Sequence, residues 1–284
     1  MKTVVVTGVS TGIGQGIARV LARSGFLVFG STRRSADAQA LKQELGENFA
    51  PLVFDVTDEA AIAAAAGEVR QRLAGARLDG LVNNAGIAIS GPLVFQPPDD
   101  FRQQIEVNLI GPFLVTQAFA PLLGMDASLS GAPGRIVNIS SVGGKFAAPF
   151  IGAYAASKHG LEGYSESLRR ELQLFGIDVI IIGPGAVKSA IWDKAEAAGL
   201  GPYGDTPYAG PMQRFSDYFL AQGRKGFPPE RIGEVVLTAL TAAQPRVRYA
   251  VVPGALMNWV IPRLLPKRMV DRTIGKNIGL LKSG

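Results

Sequence analysis

The chain has 284 residues, 47% of them hydrophobic and 18% charged, with 35 glycines, one histidine, no cysteine and a formal charge of +6. That length supports one large core better than two small ones. Without cysteine there are no disulfides, thiolate nucleophiles or sulfur-bound zinc, which suits a reducing cytoplasm, and a lone His159 leaves no histidine for a metal cluster or a serine triad, so no metal site is expected.

Lys2 to Thr7 is a continuous β-branched run, as expected of a strand covered on both faces. It runs into Gly8, Ser10, Thr11, Gly12, Ile13 and Gly14, after which Ile17, Val20 and Leu21 recur at helical spacing. A strand, a glycine turn and a helix start together form a phosphate cradle, because glycine lets the backbone come close and the helix end offers free N–H groups. The amino terminus is too short in its apolar part for a secretory leader. Phe26 to Ser31 is a second strand, followed by Thr32, Arg33 and Arg34. An acidic residue at this point would hold the ribose hydroxyls of NAD. Threonine and arginine instead favour NADP(H) over NAD(H), since a guanidinium pairs with a 2′-phosphate.

A third strand is expected over Pro51 to Asp55, where Asp55 and Val56 end beside the adenine or in a simple turn, and Asp58 or Thr57 caps the next helix. Leu78 to Val82 is a fourth strand, opening into Asn84, Ala85 and Gly86. Pro97 to Leu123 is a long helix with an anomalous Asn108 on it, and Gly124 to Gly134 is a surface excursion. Arg135 to Ser140 is a fifth strand with Ser141 at its end, and Ile177 to Ile182 a sixth, ending at Pro184 and Gly185. Between them, a helix from about Ala153 to Phe175 carries Tyr154 and Lys158. Four residues apart on a helix, these side chains share a face about 6 Å apart. A nearby cation favours phenolate over phenol, which lowers a pKa of about 10 and makes Tyr154 a candidate general acid/base.

Ala190 to Phe227 mixes Trp192, Tyr203, Tyr208, Phe215, Tyr218 and Phe219 with glycine and proline without a clear period, and reads as a helical flap over a substrate pocket. Pro229 to Ala243 is a helix and Arg248 to Val252 the last strand. The 253–284 extension holds most of the excess charge: six basic residues, Lys282 among them, against Asp271 alone, among leucines and Trp259. Packing across the substrate mouth or joining a partner subunit is favoured for it over lying on an anionic membrane. The body is nearly neutral and shows no basic stripe with interleaved aromatics, so no nucleic-acid partner is expected. With no uncharged apolar run of about 20 residues, neither is a transmembrane segment.

Strands alternating with helices give an α/β fold, a doubly wound parallel sheet over residues 1–252, with ligands beyond the carboxyl ends of its strands. The motifs TGVSTGIG, NNAG, Asn108, Ser141, YAASK and PGAVKS, in this order, resemble the short-chain dehydrogenase/reductase family in its single-domain form. The resemblance implies a Rossmann-type sheet of about seven strands and a nicotinamide cofactor. It also implies that Ser141 orients the substrate oxygen and Tyr154 exchanges the proton. Lys158 would hold the ribose and lower the tyrosine pKa, and Asn108 would position a relay water. Pro184, Gly185, Val187 and Ser189 match the segment around the nicotinamide, with Ser189 where threonine is usual. The extension and the stretch after PGAVKS look loosely like 17β-hydroxysteroid and retinol dehydrogenases, which implies an apolar alcohol, ketone or aldehyde. By analogy a homodimer or homotetramer is expected. A 3-oxoacyl thioester reductase is the alternative within the enzymes. A dinucleotide-binding sensor without turnover is the alternative outside them, and it has no use for Asn108, Ser141, Tyr154 and Lys158 together.

Overall fold

A computed structural model describes residues 1–189, 196–197 and 199–281. The strands β1 (Lys2–Val6), β2 (Phe26–Thr32), β3 (Phe49–Val53), β4 (Gly80–Asn83), β5 (Arg135–Ile139), β6 (Asp178–Pro184) and β7 (Arg248–Val251) are all paired in parallel. They form one seven-stranded sheet in the order β3-β2-β1-β4-β5-β6-β7. Successive strand residues point to opposite faces, which is why these strands are apolar throughout. Val4, Val6, Val137 and Ile180 enter one core, while Val5, Phe29, Ile136 and Val179 enter the other.

The first core is covered by α1 (Gly12–Arg23), α2 (Ser35–Leu45) and α8 (Pro229–Thr241), through Ile17, Leu21, Leu41, Ile232 and Val236. The second is covered by α3 (Glu59–Leu73) and α5 (Gly111–Ala120), through Ile62, Val69, Val115 and Phe119. Each such side chain, once fully buried, contributes about 1.5–3 kcal/mol. The helix α4 (Pro98–Ile105) runs through a π turn at Glu106–Ile110 into α5, and the joined helix Pro98–Met125 precedes α6 (Gly152–Glu171). By length and composition alone Pro98–Met125 is apolar enough to cross a membrane, but half of its apolar window is buried within the fold, as in a core helix, so it makes no clear transmembrane segment.

Two strands are displaced from their expected positions, each for a local reason. The third begins at Phe49 because β3 is the sheet edge, where Pro51 costs no ladder hydrogen bond. Asp55 then falls beyond the strand, where its carboxylate accepts from the Thr57 backbone N–H at 3.0 Å and from its hydroxyl at 2.8 Å. The fourth begins at Gly80 because the Leu78 N–H donates instead to the Leu122 carbonyl. The segment after Gly124 is no free excursion: Leu129 is buried, and Asp126 accepts from both the backbone and the hydroxyl of Ser128 and pairs with Arg70.

The expected flap contains a regular helix, α7 (Ala209–Arg224), while Ala190 and Trp192 lie outside the described residues. The extension forms a helical stretch, Leu256–Val260 with Ile261–Leu264, and then α9 (Lys267–Ile278); Lys282 is also outside the described residues. Ile274 and Ile278 of α9 pack with Met212 and Phe215 of α7, and the Arg214 guanidinium donates to the Ile278 carbonyl at 3.0 Å.

Candidate active site

The chain leaves β1 toward one side of the sheet and β4 toward the other, so a cleft opens beyond the carboxyl ends of these two neighbours. There Gly8 turns with a φ of +69°, and the main chain enters α1 with Thr11 as N-cap. The Thr11 hydroxyl caps none of the first-turn N–H groups, which leaves that positive helix end to an anion. The turn is fixed from both sides. The Gly8 N–H donates to Ser31 Oγ at 3.2 Å, and Asn84 Nδ2 donates to the carbonyls of Thr7 and Gly8. Thr7 Oγ1 accepts from the N–H groups of Asn84 and Ala85, each at 3.0 Å. A Cβ on Gly14 would collide with the Gly8 carbonyl, so only glycine keeps this loop.

Of the other residues expected to contact a dinucleotide, Ser189 comes to the glycine turn and Gly86 to the neighbourhood of Lys158. Ser189 lies against Gly12, at 3.4 Å from where a Cβ would sit, so the segment after β6 faces the glycine turn. Gly185 is anchored through its N–H to the Val251 carbonyl, Val187 forms a bridge with Phe227, and Pro184 is buried within β6. Ile13 is half-buried against the first core, Val56 is buried against Gly111, and Gly86 lies beside Asn108 and Lys158. At the end of β2, Thr32 is buried and donates to the Arg34 carbonyl, while Arg34 forms a forked pair with Asp37 at 2.9 Å. Arg33 is exposed and has no ion pair among the described residues, so it is the guanidinium left for a phosphate. These features fit a dinucleotide that carries a 2′-phosphate.

Beyond the cleft, α6 brings Tyr154 and Lys158 to one face, with Lys158 Nζ 5.9 Å from the phenol ring centre. Ser141 Oγ accepts from the Gly143 N–H at 2.9 Å and is hydrogen-bonded to the Tyr154 hydroxyl. Lys158 is buried, donates to the Ile139 carbonyl at 3.0 Å, and is held down to about 8 by desolvation, against the opposing field of Glu162. Tyr154 shifts the other way. Burial pushes its phenol up, and only the Ser141 hydrogen bond pulls it down. The expected lowering by Lys158 is therefore not what the protein alone produces, since that amine is itself depressed and engaged with Ile139.

Asn108 is fully buried in the π turn. Its side chain accepts from the Ile87 N–H at 2.8 Å and donates to the Ile87 carbonyl and to Ser157 Oγ. Ser157 in turn donates to the Tyr154 carbonyl at 2.7 Å. Ser157 was not singled out in the sequence. Nor was Glu162, which is 1% exposed, accepts from Ser140 Oγ at 2.8 Å and holds a forked pair with Arg248. Its place four residues after Lys158 was the available signal. Around Tyr154, Phe150, Tyr203, Tyr208, Met212, Phe215 and Ile278 form an apolar cluster, with Phe150 held at a φ of +64°. A half-buried phenol thus borders an aromatic wall built from the flap and the extension.

A family model described as short chain dehydrogenase matches residues 2–199. The chain belongs to the short-chain dehydrogenase/reductase family. It is an oxidoreductase of CH–OH and C=O groups. Among its relatives in the family, an NADPH-dependent 3-dehydrocapnine reductase from Ornithobacterium rhinotracheale is 37% identical over 278 residues, covering 98% of each chain. Retinol dehydrogenase 5 of Mus musculus is 35% identical over 284 residues, covering 95% of this chain and 86% of the relative. A crystal structure of a short-chain dehydrogenase from Streptomyces avermitilis superposes with a TM-score of 0.77 at 26% identity, over 100% of this chain and 98% of the other. A metagenomic short-chain oxidoreductase in complex with NADP gives 0.68 at 30% identity, over 89% and 96%.

Proposed function

We propose that this family member reduces the carbonyl of an apolar ketone or aldehyde with NADPH, Tyr154 giving the proton. The observation that carries this reading is the state and position of Tyr154. Its phenol, which is protonated at neutral pH at its ordinary pKa and is shifted further up by desolvation, stands beside Ser141 and against the aromatic wall. A protonated phenol is a proton donor, which suits reduction at neutral pH. Ser141 shares the carbonyl oxygen with Tyr154 and orients it. Lys158 presents its ammonium toward the sugar of the dinucleotide, and the turn from Gly8 to Gly14 holds the diphosphate. Arg33 pairs with the 2′-phosphate. When bound, NADPH supplies the hydride.

Asn108 is a positioning residue in this scheme. Through Ile87 and Ser157 it fixes both the wall of the cleft and the main chain of Tyr154. Both N–H groups of its amide are committed there, so a relay water would rest on its main-chain carbonyl or the remaining lone pair of its Oδ1. The relative from Ornithobacterium rhinotracheale, named as an NADPH-dependent reductase, and the neighbour with NADP support the cofactor and the direction.

The test is NADPH oxidation by the purified chain over a series of ketones and aldehydes of increasing alkyl length. Each buried methylene contributes about 0.8 kcal/mol, so kcat/KM is expected to climb by about three- to fourfold per methylene until the wall is filled. NADPH that binds but is consumed with no carbonyl in the series would contradict the proposal.

A further inference from the structure

The extension turns two different faces to its surroundings. On the helical stretch that begins at Leu256, Trp259 faces inward, 9% exposed, with its ring between the guanidinium groups of Arg248 and Arg263 at 4.9 and 4.5 Å. The residues around it point out: Leu256 and Met257 are 65% exposed and Leu264 is 78% exposed, with Val260, Leu265 and Met269 also uncovered. Arg263, Lys267, Arg268, Arg272 and Lys276 are exposed on the same segment, and none of them has an ion pair among the described residues. Beneath it lies a cavity of about 480 Å³ lined by Lys145, Arg231, Arg246, Arg248, Arg263 and Trp259, with no acidic side chain in its wall.

We infer that this face docks on an anionic phospholipid surface, the leucines and methionines entering the acyl boundary while the cationic cavity takes a phosphate headgroup. An outward apolar row flanked by unpaired cations on a segment containing two prolines, Pro262 and Pro266, suits lying on a bilayer and not crossing it. Charge also decides between occupants. A two-fold contact sets a patch against its own copy, which would bring the same cations together, whereas a phosphate surface neutralises them. Forked guanidinium groups match phosphate oxygens; of the cations lining the cavity, Arg248 and Lys145 are held by Glu162 and Arg231 by Glu234, while Arg246 and Arg263 have no ion pair among the described residues and are the two left for a headgroup. The other side of the extension closes the aromatic wall through Ile274 and Ile278, so the docked face and the substrate mouth belong to one segment. The sequence reading ranked a membrane contact below packing on the mouth or on a partner; in the fold the Ile274 and Ile278 side of α9 packs on the aromatic wall, while its cations, Met269 and the preceding stretch face outward.

The experiment is flotation of the full chain with phosphatidylcholine vesicles and with vesicles containing phosphatidylglycerol, without substrate, so that a failure here leaves the reductase reading intact. Binding to the anionic vesicles at least tenfold above the neutral ones, weakened by salt, is expected. Leu264→Glu should reduce it at least tenfold while turnover of a soluble ketone is kept, and Arg246→Ala with Arg263→Ala should remove the preference for the anionic lipid. Glycerol phosphate should compete with the headgroup part of this preference. Three results would overturn the inference: no binding to either vesicle, equal binding to both, or a dimer in sedimentation that Leu264→Glu converts to monomer.

Discussion

Glu162 is 1% exposed, and its oxygens are satisfied from several sides: Arg248 forks onto it, Ser140 donates to it, and Lys145 stands 3.4 Å away. Removing one partner of such a pair leaves the other charge buried, which costs about 3–5 kcal/mol. Glu162→Ala should lose that much in denaturant unfolding and Glu162→Gln distinctly less. Arg33 is the residue proposed to carry the cofactor choice. Arg33→Ala should raise the KM for NADPH by about ten- to a hundredfold, as expected when a charge-assisted forked contact of about 1.5–3 kcal/mol is lost, and leave that for NADH nearly unchanged. Lys158 sets a pH signature. Its folded pKa of about 8 lies below the ordinary 10.5, so the unfolded chain binds the proton more readily between these values. Stability from this group therefore rises as pH climbs from about 8 toward 10.5, while reduction falls as the ammonium is lost; Lys158→Met should abolish its part of both slopes. These residues were unequally legible. Tyr154, Lys158 and Ser141 stand in local motifs, but the partner of Glu162 is Arg248, far along the chain, and no spacing announces it.

At the scale of elements, α3 ends on Ala74 at a φ of +48°, a left-handed cap that alanine fills at a cost of about 1 kcal/mol or more. Ala74→Gly should raise the unfolding free energy by about 0.5 kcal/mol, measured by the denaturant midpoint, once the greater freedom of unfolded glycine is set against the relief. The apolar strands and α1, α6 and α8 could be read from periodicity and from their glycine and proline boundaries. The π turn around Asn108 could not, because the buried amide is satisfied by Ile87 and Ser157, which lie elsewhere in the chain. The helical character of the flap was legible too, but not the bounds of α7, whose Gly210 and Pro211 read as breakers yet occupy the first helical turn, where proline needs no N–H partner. The strand starts at Phe49 and Gly80 were set by sheet-edge position and by Leu122, again tertiary facts.

For the whole molecule, the seven-stranded sheet was legible because both of its faces are buried and its strands are apolar throughout, and the ligand side follows from the reversal of strand order between β1 and β4. The substrate wall was less so, since it is assembled from Phe150, the flap and α9, segments more than fifty residues apart in sequence. If that wall selects the substrate, Ile278→Asp should lower kcat/KM for long-chain carbonyls by at least about tenfold, the worth of a buried apolar side chain, while the affinity for NADPH stays within about twofold. Everything in the scheme converges on one proton. The most direct measurement is single-turnover reduction of a wild-type substrate by Tyr154→Phe with NADPH bound. The arrangement of Ser141, Tyr154 and Lys158 predicts a rate about 10²- to 10⁴-fold lower, with NADPH affinity and melting temperature unchanged; a wild-type rate in that variant would contradict it.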